Sequence, residues 1–150
     1  MAQHSDKLPF RSDTAEMNRA QLQAGVYLQS RKIYDLFNFL IGHLLVEEPE
    51  DPVEFMVNLL DKCMLFRAGL CEPPLLFNTQ HIESMFRALD PSGTGAITMV
   101  QYRTGLMTLG ITRFEESPPT NKDGNVEKQT FIQEARQRLV AMLAEMLEKH

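Results

Sequence analysis

The chain has no tryptophan and only two cysteines, and it contains no apolar run long enough to cross a bilayer, which takes about 18–20 residues. Its most apolar stretch, residues 36–46, is shorter and is interrupted by Asn38 and His43. Residues 1–11 are polar and lack the apolar centre of a secretory signal. In a chain without such a signal, Cys63 and Cys71 are expected to be free thiols. A basic cluster is missing as well. The formal net charge is −5 and the isoelectric point about 5.4, which excludes the Lys/Arg-rich surface that phosphate backbones require. These absences predict a soluble cytoplasmic protein with neither nucleic acid nor membrane as a partner.

Catalytic signatures are also lacking. His4, His43, His81 and His150 are scattered, and none has a metal-ligand partner one helical turn away. No glycine-rich phosphate loop and no nucleophile motif is present. The sequence therefore predicts a protein that is not an enzyme and takes no cofactor, with His43 half-exposed on a helix.

What the chain does have is helical periodicity, carried by a 43% hydrophobic composition. Residues 1–13 read as a flexible N-terminus. Thr14 can cap a helix through Gln29 whose apolar positions, Met17, Leu22, Val26 and Leu28, are sparse. Ile33, Leu36, Phe37, Leu40, Ile41, Leu44 and Leu45 then alternate spacings of three and one, a broad apolar stripe along one helix that Ser30 could cap. The stripe stops at Pro49, and Asp51-Pro52-Val53-Glu54 reads as a fresh start, with Asp51 as N-cap and Pro52 in the first helical position. Phe55, Met56, Leu59, Leu60, Cys63 and Met64 continue the spacing. So short a joint between amphipathic helices predicts an antiparallel hairpin.

Residues 67–78, with Gly69, Pro73 and Pro74, read as a linker between a first domain, 14–66, and a second, 79–150. The second opens with a helix entered at Asn78 or Thr79 that carries Ile82, Met85, Phe86 and Leu89. A helix over 99–109 follows and ends at Gly110; 115–125 is polar and rich in helix breakers; a long helix over 127–148 closes the chain. Its apolar face runs from Phe131 to Leu147, so it either folds back on the hairpin or is held by a partner. The predicted fold class is all-α, with short extended pieces only at 96–98 and 125–127.

A hairpin of this size cannot bury both of its apolar faces alone, because units below about 40 residues generally need a metal, a disulfide or a partner. Two hairpins meeting face to face form a four-helix bundle and solve the problem. Tyr27, Leu28, Ile33, Leu36, Leu40 and Leu44, followed by Pro49-Glu50-Asp51-Pro52-Val53-Glu54-Phe55, resemble the RIIa domain, the dimerisation and docking domain of the regulatory subunit of cAMP-dependent protein kinase and its Dpy-30-like relatives. The resemblance covers residues 26–65. It implies a dimeric bundle, with this chain or another RIIa-like chain, whose groove takes an amphipathic helix of an anchoring or axonemal protein. It further implies that the helix over 33–45 lines the groove, while Phe55, Leu59 and Leu60 support the dimer. No cyclic-nucleotide-binding domain accompanies it, so kinase regulation is not implied.

The second domain carries an EF-hand pattern. That motif places oxygen ligands at loop positions 1, 3, 5, 7, 9 and 12 around a glycine at 6. With Gly95 at 6, Asp90 falls at 1, Ser92 at 3, Thr94 at 5, the Ala96 carbonyl at 7, Thr98 at 9 and Gln101 at 12. Position 12 normally supplies a bidentate Glu, and only Asp90 brings a full charge, so calcium binding here is expected to be weak or lost. A second loop around Gly124 would put Pro119 at 1 and Thr130 at 12, without its end ligands, and its incoming helix, 112–117, is short. Val126 opposite Ile97 predicts the strand contact that joins paired loops. A docking hairpin followed by a degenerate EF-hand pair resembles a family of EF-hand calcium-binding domain-containing proteins associated with motile cilia and sperm flagella. That resemblance implies an adaptor in an axonemal complex. The alternative is a calcium sensor using the Asp90–Gln101 loop.

Overall fold

The computed structural model describes residues 10–149, with side chains from Thr14 onward. Its helices are α1 (Phe10–Ser30), α2 (Ile33–Glu47), α3 (Pro52–Arg67), α4 (Thr79–Leu89), α5 (Met99–Thr108) and α6 (Lys128–Met146). Two-residue strands β1 (Ala96–Ile97) and β2 (Val126–Glu127) complete the described elements, and the fold is all-α in class. The flexible terminus expected over 1–13 lies outside the described residues as far as residue 9. The helix start expected at Thr14 is corrected: α1 has already begun at Phe10.

The expected cap at Ser30 is also corrected. Ser30 Oγ donates to the Tyr27 carbonyl inside the last turn of α1. The break before α2 is made instead by Lys32, which turns the chain through left-handed geometry at φ 55°. Glu48 repeats that device at the end of α2, with φ 43° and its N–H on the Leu44 carbonyl. Asp51 then caps α3 by accepting from the Glu54 N–H at 3.1 Å, with Pro52 behind it as the pattern predicts. Such a cap stabilises a helix by about 1 kcal/mol.

The core lies in the second half. Ile82 and Phe86 of α4, Tyr102 and Leu106 of α5, and Phe131, Ile132 and Ala135 of α6 bury one another together with Ile97, Ile111 and Val126. Gly105 lets α5 approach this closely. A Cβ there would stand 2.6 Å from Leu89 Cδ1 and 3.0 Å from the Phe131 ring. β1 pairs antiparallel with β2, Ile97 facing Val126 as expected. The anticipated helix over 112–117 does not form. Residues 109–125 instead lie irregularly over the core, held by the Tyr102 hydroxyl donating to the Glu115 carbonyl at 2.8 Å and by the Glu115 N–H on Glu134 Oε1 at 2.9 Å. Burial raises the Tyr102 hydroxyl to a pKa of about 12, so it stays a donor.

The linker is packed rather than free. Pro73, Pro74, Leu75, Leu76 and Phe77 are half-buried, and Leu76 reaches α2 at Gly42. α6 folds back toward the hairpin. Glu145 pairs with Lys32 at 3.0 Å and with Arg113 at 3.4 Å, and Arg67 donates to the Leu147 carbonyl at 3.4 Å. Between the halves runs a groove of about 660 Å³ lined by Phe39, Leu76, Phe77, Leu139, Met142 and Met146 among others.

Candidate docking face and calcium loop

The seven apolar positions of α2 span roughly half its circumference at 100° per residue, and a hairpin covers only part of so wide an arc. Leu40 is buried and Ile33, Leu36 and Leu44 are half-buried, whereas Phe37, Ile41 and Leu45 stand in solvent at 58%, 50% and 71% exposure. Tyr34 joins the exposed row. In α3, Leu59 and Cys63 are buried and Phe55 is half-buried, while Val53, Val57, Leu60 and Met64 form an exposed row at spacings of four, three and four. The docking residues expected from sequence are therefore divided. Ile33, Leu36, Leu40, Leu44, Phe55 and Leu59 turn inward, and Phe37, Ile41, Leu45 and Leu60 turn out.

His43 is corrected from half-exposed to buried. It faces the linker, with the Phe39 ring 4.5 Å away edge-on, a hydrogen bond to the Pro74 carbonyl, and its Nε2 without a partner. Burial pushes its pKa below the usual histidine value of 6.5. Both cysteines are free thiols, and burial, with Cys71 nearby, raises the Cys63 thiol to about 11.

The Asp90–Gln101 loop has EF-hand shape and closes on itself. Asp90 Oδ1 accepts from the Thr94 N–H at 3.0 Å and lies 2.8 Å from the Thr94 hydroxyl, while Oδ2 accepts from the Gly95 N–H at 2.8 Å. These bonds, that of Gly95 foremost, hold the Asp90 carboxyl below its ordinary range. Thr94 Oγ1 is also 2.9 Å from the Ala96 carbonyl. Ser92 is exposed, and Thr98 caps α5 by accepting from the Gln101 N–H at 3.2 Å. The Gln101 carboxamide is engaged at both ends. Its Oε1 accepts from the Thr98 N–H and its Nε2 donates to the Leu89 carbonyl, each at 2.9 Å. In the second loop Asn121 Oδ1 accepts from the N–H groups of Asp123 and Asn125, both at 3.0 Å.

Calcium takes six to eight oxygen ligands and favours several carboxylates. The first loop offers one carboxylate, and its twelfth position is spent on a backbone N–H. Among the described residues no three of His, Cys, Asp and Glu gather as a metal site. The donor set does not fit the ion.

The family model described as "EFCAB10, C-terminal EF-hand" matches residues 80–140, from α4 into α6. Mouse EF-hand calcium-binding domain-containing protein 10 is 32% identical over 123 residues, covering 81% of this chain and 92% of its own length. The human protein of the same name is 30% identical over 125 residues, covering 83% of this chain and 97% of its own. This chain belongs to the EF-hand calcium-binding domain-containing protein 10 family. No solved structure matches it.

In this family member, sequence reading found the loop but missed how Gln101 is used. Its signal was available, since Thr98 and Gln101 stand at the S/T-x-x-E/Q spacing of a capping box, which is present here with both bonds made. His81 likewise completes a box with Asn78, accepting the Asn78 N–H on Nδ1 at 3.2 Å. Lys32 gave no signal, because lysine is not a residue from which left-handed geometry is anticipated.

Proposed function

We propose that this chain is a non-enzymatic adaptor that dimerises through the α2–α3 hairpin and docks an amphipathic helix of a partner protein, in a ciliary or flagellar axonemal complex. The observation that carries the reading is the pair of exposed apolar rows, Tyr34/Phe37/Ile41/Leu45 on α2 and Val53/Val57/Leu60/Met64 on α3. Rows of large apolar side chains facing water on two adjacent helices are surface of the kind that marks an interaction site. Eight side chains of this kind supply the apolar centre of a helical bundle interface, with the same patch used by both copies. The dimer partner is this chain or another RIIa-like chain. The axonemal setting rests on the resemblance of a docking hairpin followed by a degenerate EF-hand pair to proteins associated with motile cilia and sperm flagella.

Light scattering tests the reading. The wild type should be dimeric at micromolar concentration, and Ile41→Asp, at a position already exposed in one chain, should be a folded monomer. A monomeric wild type removes the proposal. Affinity capture from axonemal extract with wild type and with Ile41→Asp then tests docking, since the partner should be held by the first and lost from the second.

A calcium sensor is the second reading. It rests on a family whose members carry calcium binding in their names, against a loop whose donors are turned onto one another. Titration calorimetry decides it. No heat up to millimolar calcium eliminates the sensor.

A further inference from the structure

We propose that the Asp90–Gln101 loop is a metal-independent latch, in which the Gln101 carboxamide ties the end of α4 to the start of α5 by hydrogen bonding. This inference stands apart from the docking reading and would outlive its failure.

In an ion-binding EF-hand the residue at position 12 closes the loop by reaching a cation that the first position also holds. Here Gln101 spans the same gap directly. Nε2 donates to the carbonyl of Leu89, the last residue of α4, and Oε1 accepts from the N–H of Thr98, the cap of α5. Leu89 is among the four C-terminal residues whose carbonyls a helix leaves unpaired, so the amide satisfies a group the fold would otherwise leave wanting. Its orientation is dictated by its neighbours. One is a donor and the other an acceptor, and a single arrangement of the carboxamide meets both. The first position is closed in the same way, with Asp90 turned onto Thr94 and Gly95. The Gly95 carbonyl accepts from the Lys128 N–H at 3.1 Å, which joins the loop to α6.

The usual residue at this position fails in this arrangement. A glutamate has lost its donor at neutral pH, and its second oxygen would face the Leu89 carbonyl with no proton between them. Glutamine therefore holds α4 and α5 at one angle without an ion, and added calcium has nothing to change.

Thermal melts of the full chain test this. The wild type should give the same Tm in millimolar calcium and in chelator. At pH 7.5 Gln101→Glu should melt about 3–8 °C lower, the size expected for one or two lost hydrogen bonds. The gap should narrow at pH 4.5, where a protonated carboxyl donates to Leu89 again. A passive packing role would give a gap that ignores pH. A wild-type Tm that rises with calcium overturns the proposal, as does a Gln101→Glu gap that is absent or independent of pH.

Discussion

The two halves of this chain use the same amphipathic periodicity and come to opposite ends. After the linker, α4, α5 and α6 turn Ile82, Phe86, Tyr102, Leu106 and Phe131 against one another until each is almost wholly covered. Before it, Leu40, Leu59 and Cys63 are the fully covered apolar side chains among the described residues, and α2 and α3 leave their outer rows in water. Helical spacing states which residues share a face. It does not state whether the same chain supplies the cover. The second half has a third helix and an irregular flap to close its core, whereas α2 meets α1, α3 and the linker at Leu76 and still carries an apolar arc wider than these neighbours hide.

The sharpest way to break this contrast is to cut both regions and compare how they respond to concentration. Phe131→Ala removes a fully buried ring and should cost about 3–5 kcal/mol of stability, at every protein concentration alike. Ile41→Asp should cost little within one chain, as surface changes do, within roughly 0.5 kcal/mol. Its effect should appear as the loss of a wild-type Tm that rises with concentration. Calorimetric melts over a hundredfold dilution series measure both. A wild-type Tm that ignores dilution would erase the distinction between the halves.

One helical glycine in each half sharpens the comparison at smaller scale. Gly105→Ala must push against Leu89 and the Phe131 ring at 2.6 and 3.0 Å, and should lose about 1–2 kcal/mol even after the better helix propensity of alanine. Gly42→Ala meets only the tip of Leu76, at 3.0 Å. That flexible end can swing away, so the substitution should be neutral within about 0.5 kcal/mol. Urea midpoints of the two variants give the comparison directly. Smaller again is Glu48→Gly, which relieves a left-handed non-glycine residue at φ 43° and should raise stability by about 0.5–1 kcal/mol.

Much of the architecture was legible because its punctuation is chemical. Asp51-Pro52 announced α3, Asn78 announced α4, and Gly95 with Ile97 announced the loop and its partner strand. What escaped was of two kinds. Left-handed turns at Lys32 and Glu48 are set by the packing of the helices they join, and tertiary context overrides the local preference of either residue. The split of the α2 stripe was equally hidden, since seven apolar residues at helical spacing look the same whether four or all of them are covered. At the candidate loop, ligand counting showed what the site lacks for calcium. The capping-box spacing marks the Thr98 half of the Gln101 contacts, but the other partner, the Leu89 carbonyl, is backbone and leaves no mark in the side-chain pattern.

The hairpin should also differ from the EF-hand half in its response to mild acid, and His43 is the reason. Burial holds its folded pKa below the unfolded value of 6.5, so between those two values the unfolded chain binds the extra proton. Stability then rises with pH through that window. The His43 contribution is complete above pH 6.5 and is lost as pH falls toward the folded pKa, where a charged imidazole must sit beside Phe39 with Nε2 unpartnered. Asp90 and Glu145 also have lowered pKa values, but from ordinary carboxyl values of 3.8 and 4.5, and their contributions fade only in more acidic solution. Acidification from pH 7.5 to 5.5 should therefore lower the urea midpoint of the wild type. His43→Leu, which fills the same apolar space and cannot titrate, should flatten that slope. Hydrogen exchange adds the location: over this interval α2 amides should lose protection while those of α4 and α6 keep theirs. An equal loss in both halves would show that the acid response belongs to the whole fold and not to the half that leaves its apolar face uncovered.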